Sequence, residues 1–337
     1  MQTSVRTEPM EVLPLMLGGI EAPAPVEGPS TGARPTAGLR RPGPERAAVA
    51  PPRSSGRLRL FLMALPGLLL LTPFLLAVLF VLRFSFSADA QSIQGYSLER
   101  YAGLLDPFFL RSVGLTLKLA AISTVICLVL AVPVAMLMAS IRQPVWRRVV
   151  TSLILLPMIL NLLIQSYGWI MVLGPRGIVN SLLFQLGAID RPVQLLFNEI
   201  GVLAGLVQTA LPLAVFPVLG AMRAISAESL EAGASLGAAP WRTFRDITLP
   251  LLKPGLIGAA SIVFAFNASA FAVPLLLGGR RVQTMGVAIR DMISPMFDWA
   301  GAAAAGVALI AITVVSIALA TWLSSRSRRT APPGGAH

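Results

Sequence analysis

Long apolar stretches separated by short polar connections dominate this chain. Six such blocks follow the first 56 residues, and each is long enough to cross about 30 Å of hydrocarbon as a helix of about 20 residues. None shows the short alternating segments of a transmembrane barrel. We therefore predict an all-α membrane protein with six transmembrane helices. The blocks lie near Leu58–Leu82, Val113–Ala139, Val149–Leu173, Gly201–Met222, Leu256–Leu277 and Ala302–Leu323.

Composition supports this fold class and excludes common catalysts. Hydrophobic residues make up 55% of the 337 residues and charged residues only 12%, against about 25% charged in soluble domains. The single histidine is His337 and the single cysteine is Cys127, which rules out a Ser-His-Asp triad, an HExxH zinc site and a disulfide framework. Neither lysine, Lys118 or Lys253, follows a glycine as a phosphate-binding loop requires. We expect no catalytic residue and no metal site, although a membrane enzyme of another type stays open.

The ends of the chain differ from the apolar blocks. Residues 1–56 are rich in Pro, Gly, Ala and Arg, which predicts a disordered cytosolic tail. The formal net charge of +12 is explained by arginines between the apolar blocks, so we expect no nucleic-acid partner. Arginines are most abundant in the N-terminal tail, in the loop Arg142–Arg148, in the fourth connection and in the C-terminal tail. The positive-inside rule then predicts that both termini are cytosolic.

The fourth connection, 227–250, contains signals for two short helices. Ser226 is a candidate N-cap with Glu228 in the first turn, and Gly237 is suited to end the first helix. Pro240 is suited to begin the second helix, and we expect Pro250 to end it. Such a loop would project from the membrane as a rigid knob, with or without a partner.

This connection resembles the "EAA" signature of binding-protein-dependent ABC importer permeases. The signature reads Glu-Ala-Ala, three residues, Gly, nine residues and Ile-x-Leu-Pro, and this chain departs from it at Gly233, where a second Ala is usual. The resemblance implies an ATPase-coupling loop with Glu231, Ala232 and Gly237 at its docking core and three residues that anchor it to the bundle. The matching residues are Glu231, Ala232, Gly233, Gly237, Ile247, Leu249 and Pro250.

The resemblance also implies the fold and the partners. It implies one N-terminal helix plus a five-helix type I core, divided as tail 1–56, first helix and outer loop 57–108, transmembrane type-1 domain 109–323 and cytosolic tail 324–337. The expected partners are ABC ATPase subunits, a second permease subunit that is a different chain, an extracytoplasmic substrate-binding protein and membrane lipid. No cofactor is expected in this chain, because the ATPase would hold ATP and Mg²⁺. The implied location is the bacterial inner membrane.

Three further segments resemble the spermidine/putrescine branch of these permeases, which implies a polyamine or a related small solute as substrate. The first contains Ser166-Tyr167-Gly168-Trp169 before Leu173-Gly174. The others are Gly177-Ile178-Val179-Asn180-Ser181-Leu182-Leu183 and Val273-Pro274-Leu275-Leu276-Leu277-Gly278-Gly279, with Val273 where that branch has Thr.

Uncharged polar residues inside the blocks have two interpretations. Asn161, Gln165 and Trp169 recur every four residues and so share one face of a predicted third helix. Gln208 and Asn267 lie in the fourth and fifth blocks. These side chains either join helices by hydrogen bonds or line a substrate path, and Trp169 also suits an interfacial aromatic belt.

Lys118 is the ionisable residue that lies well inside a block, and we expect it to reach the headgroups by snorkelling. No carboxylate is expected inside a helix. A proton-coupled carrier usually needs such an acid, which argues against the alternative, a stand-alone secondary transporter. Carboxylates for a polyamine would then have to come from the binding protein or another subunit, or the substrate is not a polyamine.

Overall fold

The computed structural model describes the backbone of residues 55–235 and 239–326, and the side chains of 64–229, 231, 235 and 239–322. Helices connected by short turns make up these ranges, and no strand occurs in them. The all-α prediction is confirmed. The α-helices are α1 (Ser55–Phe84), α2 (Glu99–Gly103), α3 (Pro107–Ser140), α4 (Pro144–Ile159), α5 (Leu162–Leu173), α6 (Ile178–Gln185), α7 (Glu199–Arg223), α8 (Ala227–Ser235), α9 (Pro240–Thr243), α10 (Leu249–Ala268), α11 (Met285–Ile293) and α12 (Trp299–Arg326).

Five helices in the described ranges are long and apolar enough to cross a membrane. They correspond to five of the six predicted blocks. The first of them, in α1, exposes every side chain from 64 to 82. Four others pack together or against α11, so the apolar surface of α1 faces lipid or another chain. The five spans are Ala64–Phe84, Pro107–Ser140, Glu199–Arg223, Pro240–Ala268 and Trp299–Trp322.

The prediction of a single third helix over Val149–Leu173 is wrong. The segments Pro144–Ile159 and Leu162–Gln185 meet at 100°. Pro157 lies in the last turn of α4, and the helix ends where Leu160 takes an extended backbone conformation. The side chain of Asn161 then accepts a hydrogen bond from the Leu163 N–H at 2.9 Å and caps α5. The bent pair is a sixth span only if both halves belong to one crossing.

The predicted fifth helix, Leu256–Leu277, is displaced toward the N-terminus. Helix α9 continues through a π-helical turn, Phe244–Thr248, into α10, so that Pro240–Ala268 is one unbroken helical stretch. Pro250 lies in the first turn of α10, and the prediction that it ends a helix is wrong, because the helical stretch continues through it. The stretch ends at Ala268, and Pro274–Gly278 forms a separate π-helical turn.

The core lies where α3, α7 and α10 meet. Its buried positions include many small residues, which allow the helix backbones to approach closely, as is usual in membrane bundles. At the closest point, a Cβ atom added to Gly255 of α10 would lie 2.4 Å from the Ala221 Cβ and 3.1 Å from the Pro217 carbonyl oxygen of α7. The small buried residues of this cluster are Cys127, Ala131, Ala135, Ala210, Ala214 and Ala259.

A second cluster closes the opposite end of the bundle. Leu196 and Val202 at the start of α7 contact Leu173 at the end of α5 and Leu277 of the π-helical turn. Helix α11 lies between α3 and α12, where Met285 packs against Ala305 and Leu309. The bundle is thus held by one cluster at each end and by α11 at one side.

Gly255→Ala is expected to lower the free energy of unfolding by about 1–3 kcal/mol, because the added methyl group forces α7 and α10 apart. The measurement is thermal unfolding of the purified protein in detergent. Gly258→Ala is the matched control, since a Cβ atom there meets nothing within 4 Å, and it should be neutral or slightly stabilising. Equal midpoints for the two variants would contradict the close approach.

Candidate functional site: the 227–250 loop and the polar groups of the bundle

The first half of the loop is helix α8, as predicted. Glu228 lies in its first turn, and the hydroxyl groups of Ser226 and Ser229 are 2.8 Å apart and hydrogen-bonded. Glu231 is exposed on this helix. Gly237, which was predicted to end the helix, lies outside the described residues. For Ala232 and Gly233 only the backbone is described. The acidic residue of the signature is therefore accessible on a short surface helix.

The second half carries an exposed tryptophan that the sequence did not single out. Pro240 occupies the first turn of α9, as predicted. The Trp241 ring is 68% exposed and stacks on Phe244 with the ring centroids 5.6 Å apart. Arg242 and Arg245 are exposed beside it. A large rigid ring with basic neighbours on a membrane loop is typical of a protein-binding surface.

The anchor of the loop differs in part from the expectation. Ile247 and Leu249 are half-buried, whereas Pro250 is exposed and adds no buried contact. Leu252, one turn further along, is fully buried. The sequence missed Leu252 because it lies two residues beyond the signature, within an apolar run whose buried face the pattern leaves undetermined.

Three of the predicted path residues join helices. The Trp169 Nε1–H of α5 donates a hydrogen bond to Gln208 Oε1 of α7. The Asn267 Nδ2 group of α10 donates to Ser123 Oγ of α3 at 2.8 Å. The first interpretation of these polar groups, which is helix joining, therefore describes Trp169, Gln208 and the Asn267 amide nitrogen. Asn161 instead caps its own helix, α5.

Gln165 behaves differently from these residues. Its side chain lies on α5 one turn before Trp169 and is 8% exposed. Neither Gln165 Oε1 nor Gln165 Nε2 has a hydrogen-bond partner in the described chain, and the same holds for Asn267 Oδ1. A buried amide without a partner costs about 1–3 kcal/mol. Both polar atoms of the Gln165 amide are therefore left without a partner by the folding of the described residues.

Lys118 has a partner that the sequence did not predict. Its Nζ atom lies 2.7 Å from Oε2 of Glu199, the first residue of α7. The two side chains are 53% and 42% exposed, so the pair contributes about 1 kcal/mol at most. The available signal was Glu199 itself, an acid in the first turn of α7. In the described parts of the membrane-spanning helices, carboxylates occur only near the ends.

The segments with branch resemblance are held by polar and backbone contacts. The Asn180 Nδ2 group donates to the carbonyl oxygens of Gly174 and Val193, each at 3.0 Å, and Asn180 Oδ1 accepts from the Val193 N–H at 2.8 Å. A Cβ atom on Gly177 would lie 2.5 Å from the Met171 carbonyl oxygen. These residues therefore fix the connection between α5 and α7.

The glycine pair after the π-helical turn packs against the start of α7. Gly279 has φ +56°, a left-handed conformation that favours glycine. A Cβ atom on Gly278 would lie 2.9 Å from Val202 Cγ2. The Phe197 N–H also donates to the Leu277 carbonyl oxygen at 2.8 Å. The second and third segments with branch resemblance, which begin at Gly177 and Val273, thus build the same end of the bundle.

Comparison with known proteins decides the family. Residues 131–329 match the family model described as "Binding-protein-dependent transport system inner membrane component". The chain belongs to this family. It is the permease component of an ABC importer and a multi-pass inner-membrane protein.

Similar curated permeases include two spermidine/putrescine transport system permease proteins, both named PotB. That of Haemophilus influenzae is 32% identical over 77% of this permease and 87% of the relative. That of Escherichia coli K12 is 32% identical over 68% of this permease and 83% of the relative. The molybdenum transport system permease protein ModB of Azotobacter vinelandii is 32% identical over 56% of this permease and 82% of the relative.

A solved structure of a bacterial ABC transporter that imports the acidic polysaccharide alginate has the same fold. One of its chains matches this permease with a TM-score of 0.67 and 20% identity, over 80% of this permease and 96% of that chain. A second structure of the alginate transporter, in complex with a pentasaccharide-bound periplasmic protein, matches with a TM-score of 0.67 and 21% identity, over 80% and 94% of the chains.

Asn180→Ala is expected to lower the free energy of unfolding by about 2–4 kcal/mol, because it removes three hydrogen bonds and leaves the buried backbone groups that they satisfied without partners. Thermal unfolding in detergent measures the change. Ser181→Ala, at the exposed neighbouring position, serves as control and should unfold like the unaltered permease. An unchanged midpoint for Asn180→Ala would show that this residue does not hold the connection.

Proposed function

We propose that this permease couples ATP hydrolysis in a separate ATPase subunit to transport through the 227–250 loop. The observation that carries the proposal is the unbroken helical stretch Pro240–Ala268. Trp241 is its second residue, and Asn267 is the residue before its last. Between them the stretch is in contact with α3 and α7. A displacement of the loop by a bound partner is thereby transmitted to the core, because a helix moves as a rigid element.

The remaining partners follow from the same scheme. A second permease subunit, a different chain, completes the translocation path, and an extracytoplasmic binding protein delivers the solute. The similarity to a transporter crystallised with a periplasmic binding protein supports the latter. ATP and Mg²⁺ belong to the ATPase, and this chain holds no cofactor. The arginine distribution supports cytosolic termini, with the coupling loop on the same side.

The substrate that we propose is a polyamine, with a related small solute as the alternative. The two PotB relatives, both spermidine/putrescine permeases by name, support it. Neutral amides and an aromatic ring suit a path for a flexible cation, because they provide acceptors and a π face without trapping the charge. In this proposal, an ammonium group that enters the path provides the hydrogen-bond donor that Gln165 Oε1 lacks in the described chain.

A stand-alone secondary transporter is the competing function. It would need a functional charge within the membrane. The described spans hold carboxylates only near their ends, and Lys118 is paired with Glu199. Transport by this chain alone, without an ATPase, would favour this alternative.

Trp241→Ala is expected to weaken binding of the ATPase about tenfold or more, because a buried tryptophan at an interface often contributes 2 kcal/mol or more. Co-purification in detergent followed by titration with the isolated ATPase gives the affinity. Trp299→Ala is the matched control, since Trp299 is also exposed (47%) but lies at the start of α12, at the end of the bundle away from the loop. An ATPase that binds both variants with equal affinity argues against docking at the loop.

Gln165→Leu is expected to reduce spermidine uptake about tenfold, which corresponds to loss of one hydrogen bond to a charged group. Its thermal unfolding midpoint should stay equal or rise, because the unpartnered amide is removed. Uptake is measured in proteoliposomes that contain the complete importer and its binding protein.

Asn267→Leu is the comparison for stability, and it should lower the midpoint because it breaks the bond to Ser123. Normal uptake by Gln165→Leu contradicts its role in the path. If the unaltered importer accumulates no spermidine, the proposal of a polyamine substrate is wrong. The proposal of the coupling loop is tested separately, by the ATPase-binding measurement.

A further inference from the structure

A basic cleft lies at the end of the bundle where the coupling loop begins. It occupies about 440 Å³ between the end of α3, the first turns of α4 and the last turns of α7. Three arginine side chains line it: Arg147 and Arg148 from α4, and Arg223 from α7. Thr151 and Ser152, one turn along α4, line the same cleft. The basic and hydroxyl side chains of the cleft therefore come from two helices, α4 and α7, that are distant in sequence.

The charge of this cleft is not compensated within the described chain. No carboxylate lines it, and none of the three arginines forms an ion pair with a described residue. The first turn of α4, which carries two of them, contains no acidic residue, although acids are favoured at that position. Three guanidinium groups around one cleft repel each other, so an anion bound there would relieve the repulsion.

The surface of α4 beside the cleft has the residue types of a membrane interface. Helix α4 carries Val145, Val149 and Leu153 on one exposed face, at 50–66% exposure, and an apolar face of this kind is suited to the acyl chains. Trp146, 61% exposed in the first turn of α4, is the type of residue that concentrates at the membrane interface. The apolar face of α4 and its basic side are thus placed on the two sides of the headgroup boundary.

We propose that this cleft binds the phosphate group of an anionic phospholipid in the leaflet on the coupling-loop side. Guanidinium groups bind phosphate oxygens in bidentate pairs, and basic pockets between membrane helices on the cytoplasmic side are suited to anionic headgroups. Phe216 and Leu219 of α7 supply an apolar wall for the glycerol and the first acyl carbons. The bound lipid bridges α4 and α7. This site requires only that the chain spans a membrane and does not depend on the solute.

The test is native mass spectrometry of the permease released from nanodiscs that contain phosphatidylcholine with or without phosphatidylglycerol. The unaltered chain should retain one phosphatidylglycerol molecule. Arg148→Gln and Arg223→Gln should each reduce the retained fraction about fivefold, the contribution of one basic residue near an anionic surface. Arg148→Lys, which keeps the charge and the topology but loses the bidentate geometry, should give an intermediate loss.

Arg142→Gln is the matched control, because it removes one charge from the same loop at an exposed position that does not line the cleft. It should retain the lipid as the unaltered chain does. Equal retention by all variants, or equal loss in Arg142→Gln and Arg223→Gln, overturns the site. If inorganic phosphate at millimolar concentration displaces the lipid and stabilises the permease equally well, the occupant is a soluble anion. If Arg148→Gln loses the ATPase while keeping the lipid, the cleft is a protein contact.

Discussion

Close contact between the backbones of α3, α7 and α10 is the constraint on which the rest of the structure depends. In lipid, apolar side chains gain little by leaving one apolar environment for another, so helices associate through packing and hydrogen bonds. The alanine-rich cluster and the Gly255–Ala221 contact provide that packing. The hydrogen bond between Asn267 and Ser123 crosses the same interface. The spacing of these three helices fixes where the polar groups of the bundle lie.

Hydropathy was sufficient for the fold class and for most of the spans. Its failures have a common cause, which is that apolar character continues where the backbone changes direction. The segment around Leu160 is as apolar as its neighbours. Helix α4 nevertheless ends there, Asn161 caps α5, and the two helical segments meet at 100°. In the same way, the apolar run through Leu277 hides the end of α10 at Ala268. Pro250 was predicted to end a helix, whereas it lies within the helical stretch Pro240–Ala268. The proline alone therefore did not show where that helix ends.

The short helices of the 227–250 loop were predictable from the sequence, but the pairing of the polar residues inside the bundle was not. Trp169 and Gln208 are 39 residues apart, and Asn267 and Ser123 are 144 apart. No local pattern encodes such distances. The spacing of the signature singles out Glu231 and Ile247 as candidates, because that signature lies within one short segment of the sequence. Trp241, Leu252 and the Lys118–Glu199 pair required knowledge of which face each helix turns toward its neighbours.

The continuous stretch Pro240–Ala268 has a mechanical consequence. Its 29 residues extend about 43 Å at 1.5 Å per residue, and the tight contact of Gly255 with α7 falls near the middle. The contact makes the helix a lever with a fulcrum, so its two ends move in opposite directions. A rotation of about 10° around Gly255 displaces Asn267, about 18 Å away, by about 3 Å. That distance is comparable to the 2.8 Å hydrogen bond between Asn267 and Ser123. A rotation of that size would therefore be sufficient to break the bond between Asn267 and Ser123.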